Sequence, residues 1–528
     1  MKEPGRKKFL VAGLLAGLIA TLTMTLAMML LRLFFGVATP PELVGDRIAV
    51  LLSVETFLGL LSRAGGYNEL KQIGVVSVLA GQFAVGVLGG LWYASLAGRA
   101  RRDEPTGRFA ADRRGLLFVA LFVAALWVVS LALLWPVLGT HYGGRPPGQA
   151  TLITALGLLF SYAVFGLTLI LGHGVLTSPA PPRRPTPVGR PNARRAVLVA
   201  GAGVGVAVVL GAVMRRLYGL ATFSYDGTQY KGADVQALTP NERFYVVSKN
   251  VIDPQVERGP WRLEVTGMVE TSQSFSYDDL TAMSATTQET TLRCISDQPG
   301  GGLMSNAAWT GVPLKSLIEA AKPQPGVMEV VLYGADNYSD TFAFEKAMNP
   351  TTLVAFGMNG RPLPANHGYP VRVIVPGLYG EKNVKWVTRV ELVAVDAKGF
   401  YEKQGWGPNF VVPTSSRFDQ PDDKGKIQLA MAAGVRLKGV AHGGDRGISR
   451  VEVSADDGRT WQEAKVDYAR SPSAWSLWSY DWRPREPGEY KLAVRATDGA
   501  GTPQTKDDRG IVPEGSTGYH RITVNVEV

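Results

Sequence analysis

Thr291-Leu292-Arg293-Cys294-Ile295-Ser296-Asp297-Gln298-Pro299-Gly300-Gly301-Gly302-Leu303-Met304-Ser305-Asn306-Ala307-Ala308-Trp309-Thr310-Gly311-Val312-Pro313-Leu314 contains the chain's one cysteine. A β-rich run leads into Cys294, and Gly300 to Gly302 allow close backbone approach to whatever lies against them. A thiolate in that setting suits a soft metal centre that carries a bulky ligand. Taken alone, a buried thiol is more often an inert core residue. A single cysteine also excludes an internal disulfide, zinc sites built on several thiolates and covalent c-type haem attachment.

A second block lies far enough downstream to be read independently: His367-Gly368-Tyr369-Pro370-Val371-Arg372-Val373-Ile374-Val375-Pro376-Gly377, then Tyr379-Gly380-Glu381-Lys382-Asn383-Val384-Lys385-Trp386. It is dense in cationic side chains and backbone N–H groups, which a large anionic cofactor requires. Two further stretches stand out, Phe244-Tyr245-Val246-Val247-Ser248-Lys249-Asn250 and Asp336-Asn337-Tyr338-Ser339-Asp340. Tyr338 carries a phenol that can both donate and accept a hydrogen bond.

Together these blocks resemble the sulfite oxidase family of molybdopterin-dependent oxidoreductases. In that family a strand ends in the cysteine that binds molybdenum, and a Gly-Gly turn precedes Ser-Asn-Ala-x-Trp-Thr-Gly-Val-Pro-Leu. The resemblance implies that Cys294 is the molybdenum ligand and catalytic. It implies molybdopterin contacts for His367, Arg372, Lys382, Asn383, Val384 and Lys385. Tyr245, Val247, Lys249 and Asn250 fall in the segment that passes beneath the pterin, and Asp336 precedes the active-site tyrosine position, Tyr338. Arg509, in Asp508-Arg509-Gly510, matches an anion-contacting arginine of the animal and plant enzymes. Two arginines of the sulfite-oxidising members are missing: Val247 stands at one position, and Ser296 to Pro299 contain none. The insertion bearing a substrate-pocket tryptophan is absent as well. The implied activity is therefore two-electron oxygen-atom transfer with the substrate unassigned. Reduction of methionine sulfoxide or another S- or N-oxide is the alternative, and a non-catalytic membrane-tethered binding or sensor protein is the reading from another class.

The rest of the 528 residues splits by texture. Five uncharged stretches, 9–31, 73–96, 115–138, 150–171 and 196–214, are long enough for helices that cross a membrane. Segment 48–61 is shorter, contains Glu55, and reads as an interfacial or re-entrant helix, with a sixth span as the alternative. The net charge of +10 comes largely from arginines between apolar stretches rather than from a basic face, so nucleic acid is not an expected partner. Lys2, Arg6, Lys7 and Lys8, the arginines of 99–114, and those of 183–195 mark the cytoplasmic side. Five spans then leave everything after Met214 extracytoplasmic. No convincing cleavage site follows the first span, so a removable signal peptide is not expected. Asn192-Ala193-Arg194-Arg195-Ala196-Val197-Leu198 resembles a twin-arginine export signal, and it equally fits an ordinary positive-inside flank. His141 and His173 are too few and too poorly placed for a haem pair in the bilayer, and the spans lack charged pathway residues.

Beyond residue 225, short β-rich runs (261–265, 328–333, 371–375) alternate with helical pieces such as Leu314–Ala321. After about residue 425, strands at 434–440, 448–454, 474–482, 488–496 and 520–526 suggest an immunoglobulin-like sandwich, which resembles the family's dimerisation domain. The expected chain is thus multi-domain: an N-terminal α-helical membrane anchor (1–216), an α+β molybdopterin domain (225–420) and a C-terminal all-β immunoglobulin-like sandwich (425–528). Expected partners are membrane lipid, a small-molecule or protein-bound oxo substrate, an external electron carrier or quinone-linked membrane protein, and a second copy through the C-terminal domain.

Overall fold

A computed structural model describes residues 3–103, 113–177, 191–224, 227–428 and 434–527. The chain forms two compact units. One comprises Met1–Ala49, Leu60–Ala221 and Asn250–Asp253; the other comprises Val50–Gly59, Thr222–Lys249 and Pro254–Val528.

The first unit is helical, with α1 (Glu3–Phe35), α2 (Pro40–Ala49), α4 (Tyr67–Asp103), α5 (Arg113–Leu134), α6 (Pro147–Thr177) and α7 (Pro191–Gly219), while α3 (Val54–Ala64) begins in the second unit and ends in the first. Among the described residues, Phe9–Phe35, Tyr67–Ala97, Gly115–Val137 and Pro147–Thr177 are long and apolar enough to cross a membrane. The fifth expected span falls within α7, and its first residues, 196–200, lie outside those whose side chains are described. Segment 179–190 of the Pro/Arg-rich linker and Arg108 also lie outside the described residues. The expected single helix over 48–61 is instead split between the end of α2 and the start of α3.

Glycines let α1 and α4 touch backbone to backbone. A Cβ at Gly17 would stand 2.7 Å from the Gly86 carbonyl, and one at Gly13 would stand 2.6 Å from that of Gly90. This small-residue crossing is how helices associate where apolar burial offers no net gain. Charge is not wholly absent from the helical unit. Arg32, at the end of α1, makes a buried ion pair with Glu42 of α2 at 3.1 Å, and Glu42 also accepts from the Thr39 amide at 2.8 Å.

The second unit begins with two five-stranded sheets. In the first, the order is β2-β1-β10-β5-β6, built from β1 (Leu263–Gly267), β2 (Gln273–Phe275), β5 (Glu329–Gly334), β6 (Ser339–Ala343) and β10 (Val387–Val393); β1 and β10 run parallel. Helix α8 (Tyr277–Ala282) starts on a capping box between Ser276 and Asp279. Helix α9 (Leu314–Ala321) buries Leu314, Leu317, Ile318 and Ala321, the spacing of one helical face, against this core. A short helix, α10 (Phe344–Ala347), follows β6.

The second sheet decides where Cys294 sits. It pairs β3 (Thr286–Arg293), β4 (Met304–Pro313), β7 (Leu353–Met358) and β8 (Arg361–Pro362) in that order, and β9 (Arg372–Ile374) joins β7. β3 and β4 are antiparallel with Arg293 opposite Met304. Cys294 is therefore the first residue of the connection that follows β3.

The C-terminal part is all β, with strand order β11-β13-β16-β15-β14-β17-β18-β12. Its elements are β11 (Ser415–Gln420), β12 (Lys426–Gln428), β13 (Val435–His442), β14 (Ile448–Ser454), β15 (Gln462–Tyr468), β16 (Ser476–Trp482), β17 (Gly488–Asp498) and β18 (His520–Glu527). Leu437, Val451, Trp478, Leu492 and Val524 fill its core. β15 pairs with both β14 and β16, so the strands form one connected order. The spacing of expected strands left out β11, β12 and β15; β15 alternates charged and apolar residues too weakly to be read as a strand.

Candidate molybdenum site

β3 carries Cys294 to the edge of an apolar cluster that includes Tyr245, Val247, Leu303 and Tyr369. The Cys294 amide donates to the Leu303 carbonyl at 2.9 Å, which closes the loop between β3 and β4. The sulfur lies 3.1 Å from the Ser296 hydroxyl. Burial pushes the thiol up to about 11, and the nearby Glu381 carboxyl adds to that rise. Metal binding would displace this proton, as it does for coordinating thiols in general.

The three glycines serve a different purpose from the one expected. A Cβ at Gly300 would run into the His520 ring, one at Gly301 into the Asp297 carboxyl, and one at Gly302 would stand 2.8 Å from Gln229 Cβ. Protein groups crowd each of them, so glycine is needed here for packing of the loop itself.

Arg372 is buried, and its Nη1 and Nη2 donate to the carbonyls of His367 at 3.1 Å and Asn383 at 2.9 Å. Its Nε is buried with no hydrogen-bond partner among the described residues. Desolvation pulls this guanidinium down to about 10. A buried cation that bonds two carbonyls, lies over the Trp309 ring at 5.0 Å and has a donor left over among the described residues fits an anionic cofactor. His367 is buried, with Nε2 2.9 Å from the Asn241 carbonyl and its ring edge-on to Phe244.

Other candidates are spread over several tasks. Lys385 donates to the Asn366 carbonyl at 3.1 Å, and Lys249 to that of Asp336 at 2.8 Å. Asp336 is buried and accepts from the Tyr338 amide at 3.2 Å. Asn383 uses its side chain on the main chain, accepting from Val375 N–H at 2.7 Å and donating to the Tyr379 carbonyl at 2.9 Å. Val384 lies in the core of the first sheet. Lys382 is buried and pairs with Asp340 at 2.6 Å. Asn250 groups with the helical unit and donates to Asp253 at 3.3 Å.

Tyr338 donates to Asp340 at 2.7 Å and lies 3.2 Å from the Glu381 carbonyl. Burial first, then the Asp340 carboxylate, raises its phenol well above the ordinary value. Tyr245 is likewise raised by burial and by Cys294, and a Cβ at Gly380 would stand 2.5 Å from its hydroxyl. Arg509 pairs with Glu514 at 3.1 Å. Its loop reaches the cysteine segment through Ser516, whose hydroxyl donates to the Asp297 carbonyl at 2.6 Å.

Sequence reasoning passed over Arg293, Asp297 and Glu381. Arg293 and Asp297 form a buried pair at 3.1 Å directly beside the cysteine; their i,i+4 spacing was a readable signal. Burial pushes the Glu381 carboxyl up to about 8. Its neighbour in sequence, Lys382, pairs with Asp340.

Comparison with known proteins identifies the two domains. Residues 250–401 match the oxidoreductase molybdopterin binding domain, and residues 409–527 match the Mo-co oxidoreductase dimerisation domain. Mitochondrial sulfite oxidase of Rattus norvegicus is 30% identical over 343 residues, covering 55% of this chain and 62% of that protein. The Homo sapiens enzyme is 32% identical over 288 residues, covering 46% and 52%. An NADH nitrate reductase of Volvox carteri is 28% identical over 284 residues, covering 42% and 33%. The chain thus spans less than two thirds of the length of each of these relatives. The two adjoining family domains and the sulfite oxidase relatives lead to one conclusion: the chain belongs to the sulfite oxidase family of molybdopterin-dependent oxidoreductases, and its cofactor is the molybdenum cofactor.

Proposed function

We propose that this protein is a membrane-anchored oxidoreductase that transfers an oxygen atom in a two-electron step on the extracytoplasmic side. The observation that carries the reading is the placement of Cys294 at the end of β3, in the unit that also buries Arg372 with an unmet donor. The bound cofactor supplies the redox-active metal and its oxygen-accepting positions. In this reading Cys294 provides a thiolate, while Arg372, His367 and Lys385 hold the anionic pterin. Tyr338 orients the substrate side through its phenol. Four apolar helices and the cytoplasmic arginine clusters support the membrane assignment. The last span, with its Arg194-Arg195 pair, is assigned to twin-arginine-dependent export. The electron partner is an external carrier or a quinone-linked membrane protein, and the C-terminal domain supports a homodimer.

Metal analysis and EPR on the detergent-solubilised full chain test the site. The wild type should contain about one molybdenum per chain and show a Mo(V) signal that Cys294→Ser abolishes. Full loading in the Ser variant, or no metal in the wild type, sinks the assignment. A C-terminal reporter active only outside the cytoplasm tests the topology, and its silence would reverse it.

A further inference from the structure

Cys294 is held at both of its main-chain polar groups. Its amide donates to the Leu303 carbonyl at 2.9 Å, and its carbonyl accepts from the Asp297 amide at 3.1 Å. The Asp297 carboxylate closes the triangle, because its Oδ1 accepts from the Leu303 amide at 2.9 Å. Cys294, Asp297 and Leu303 are thereby bonded to one another, which fixes the path of the main chain through the cysteine. What remains is rotation about its Cα–Cβ bond, which has staggered wells. Those wells are narrowed by the apolar cluster of Tyr245, Val247, Leu303 and Tyr369 and by the Ser296 hydroxyl, 3.1 Å from the sulfur.

Asp297 is itself buried and gripped from two directions. Arg293, the last residue of β3, reaches its Oδ2 with Nε at 3.1 Å and its carbonyl with Nη2 at 3.3 Å. From the C-terminal domain, the Ser516 hydroxyl donates to the same carbonyl at 2.6 Å. Gly301 leaves room for the carboxylate, since a Cβ there would run into it. As a source of stability the Arg293–Asp297 pair is poor. Both partners are desolvated, and Arg293 Nη1 is buried with no partner among the described residues. The effect of the pair is geometric: it fixes the residue that fixes the cysteine.

We propose that Asp297, held by Arg293 and Ser516, is a positioning residue that sets the direction in which Cys294 presents its sulfur to molybdenum. The proposal rests on the reading of Cys294 as the molybdenum ligand. Groups that orient a metal ligand also tune the metal, because a thiolate turned to another angle overlaps differently with the metal orbitals. Asp297 acts through the cysteine, and a displacement of its side chain is felt as a change in the metal's spectrum.

The test is Mo(V) EPR and a redox titration of the solubilised, molybdenum-loaded full chain, beside its melting curve. Asp297→Asn keeps an acceptor for the Leu303 amide and sets an NH2 group against the Arg293 guanidinium. It should load molybdenum, shift the Mo(V) g-values by more than the wild-type linewidth, and move the midpoint potential. This variant also removes a negative charge, so Arg293→Lys separates position from charge. Lysine keeps the charge but cannot grip carboxylate and carbonyl together as the planar fork does, so its g-values should shift as well. Leu437→Ala weakens the C-terminal core and leaves the loop alone, so it should melt earlier with a wild-type signal. If either loop variant fails to load, Ser516→Ala, which removes one hydroxyl, decides by the same shift. A wild-type signal in the loaded loop variants, or the same shift in Leu437→Ala, overturns the proposal and leaves the molybdenum assignment standing. Absence of molybdenum from the wild type overturns the assignment itself.

Discussion

Arg372 shows how differently one residue can weigh on the empty and the loaded protein. A buried guanidinium that bonds two carbonyls, lies over the Trp309 ring and keeps its Nε unmet among the described residues is costly to bury. Arg372→Met should therefore leave the melting temperature of cofactor-free protein unchanged or raised. It should also lower molybdenum content at least about tenfold, because charge-assisted hydrogen bonds to the cofactor are lost. Parallel melting curves and metal analysis check both signs. His442 and His520 make a second residue-scale case. Burial lowers His442 to about 3 and His520 to about 4. Below about pH 6.5 the unfolded chain binds protons at these positions that the folded chain refuses, so stability falls as pH drops from about 6.5 toward 4. Each histidine should cost about 2 kcal/mol by pH 5. Melting curves across that range should flatten in the double variant His442→Gln, His520→Gln. A melting temperature that is constant from pH 7.5 to 5 in the wild type would count against this account.

At the scale of elements, β3 and β4 decide the position of the cysteine, and Gly311 decides their fit with β7. A Cβ there would be driven into the Val354 carbonyl and stand 2.6 Å from Ala355 Cα. Backbone cannot yield as a side-chain tip can, so Gly311→Ala should destabilise by about 3 kcal/mol, readable in a denaturant melt. Much at this scale was legible beforehand. Helix Leu314–Ala321 and strand Ile448–Ser454 coincide with their periodicity, because each presents one clean apolar face. β15, with Lys465 and Asp467 among its seven residues, has no such face and owes its strand form to its two neighbours. At the candidate site the unusual residue types, Cys294 and Arg372, stand out in the sequence, and the fold buries Arg372 in the same unit as Cys294. The site was not legible where identity depends on pairing. Lys382 could have answered Glu381 or Asp340, and only the fold shows that it answers Asp340.

Across the molecule, the two family domains are joined along the cysteine strand itself. The Thr291 amide donates to the Ser473 carbonyl at 2.9 Å, and the Trp475 amide donates to the Thr291 hydroxyl at 2.8 Å. Arg417 of β11 donates to the Gly301 carbonyl at 2.8 Å and to that of Tyr230 at 2.9 Å. A chain ended after residue 408 would leave those groups unmet, each a buried loss of about 1–3 kcal/mol. Such a truncation should retain no molybdenum, even though the matched molybdopterin segment, 250–401, is whole. Metal analysis of the truncated protein beside the full chain is the check, and normal loading would show the segment to be self-sufficient.

The bond from Ser516 to Asp297 has a consequence in time as well as in space. Synthesis runs from Cys294 toward the C-terminus, so the cysteine emerges more than two hundred positions before the serine that braces its loop. While the ribosome is still working, the thiol stands in a half-built wall. That brace can form only after Ser516 has been made, so the loop beside Cys294 is settled by residues from both family domains.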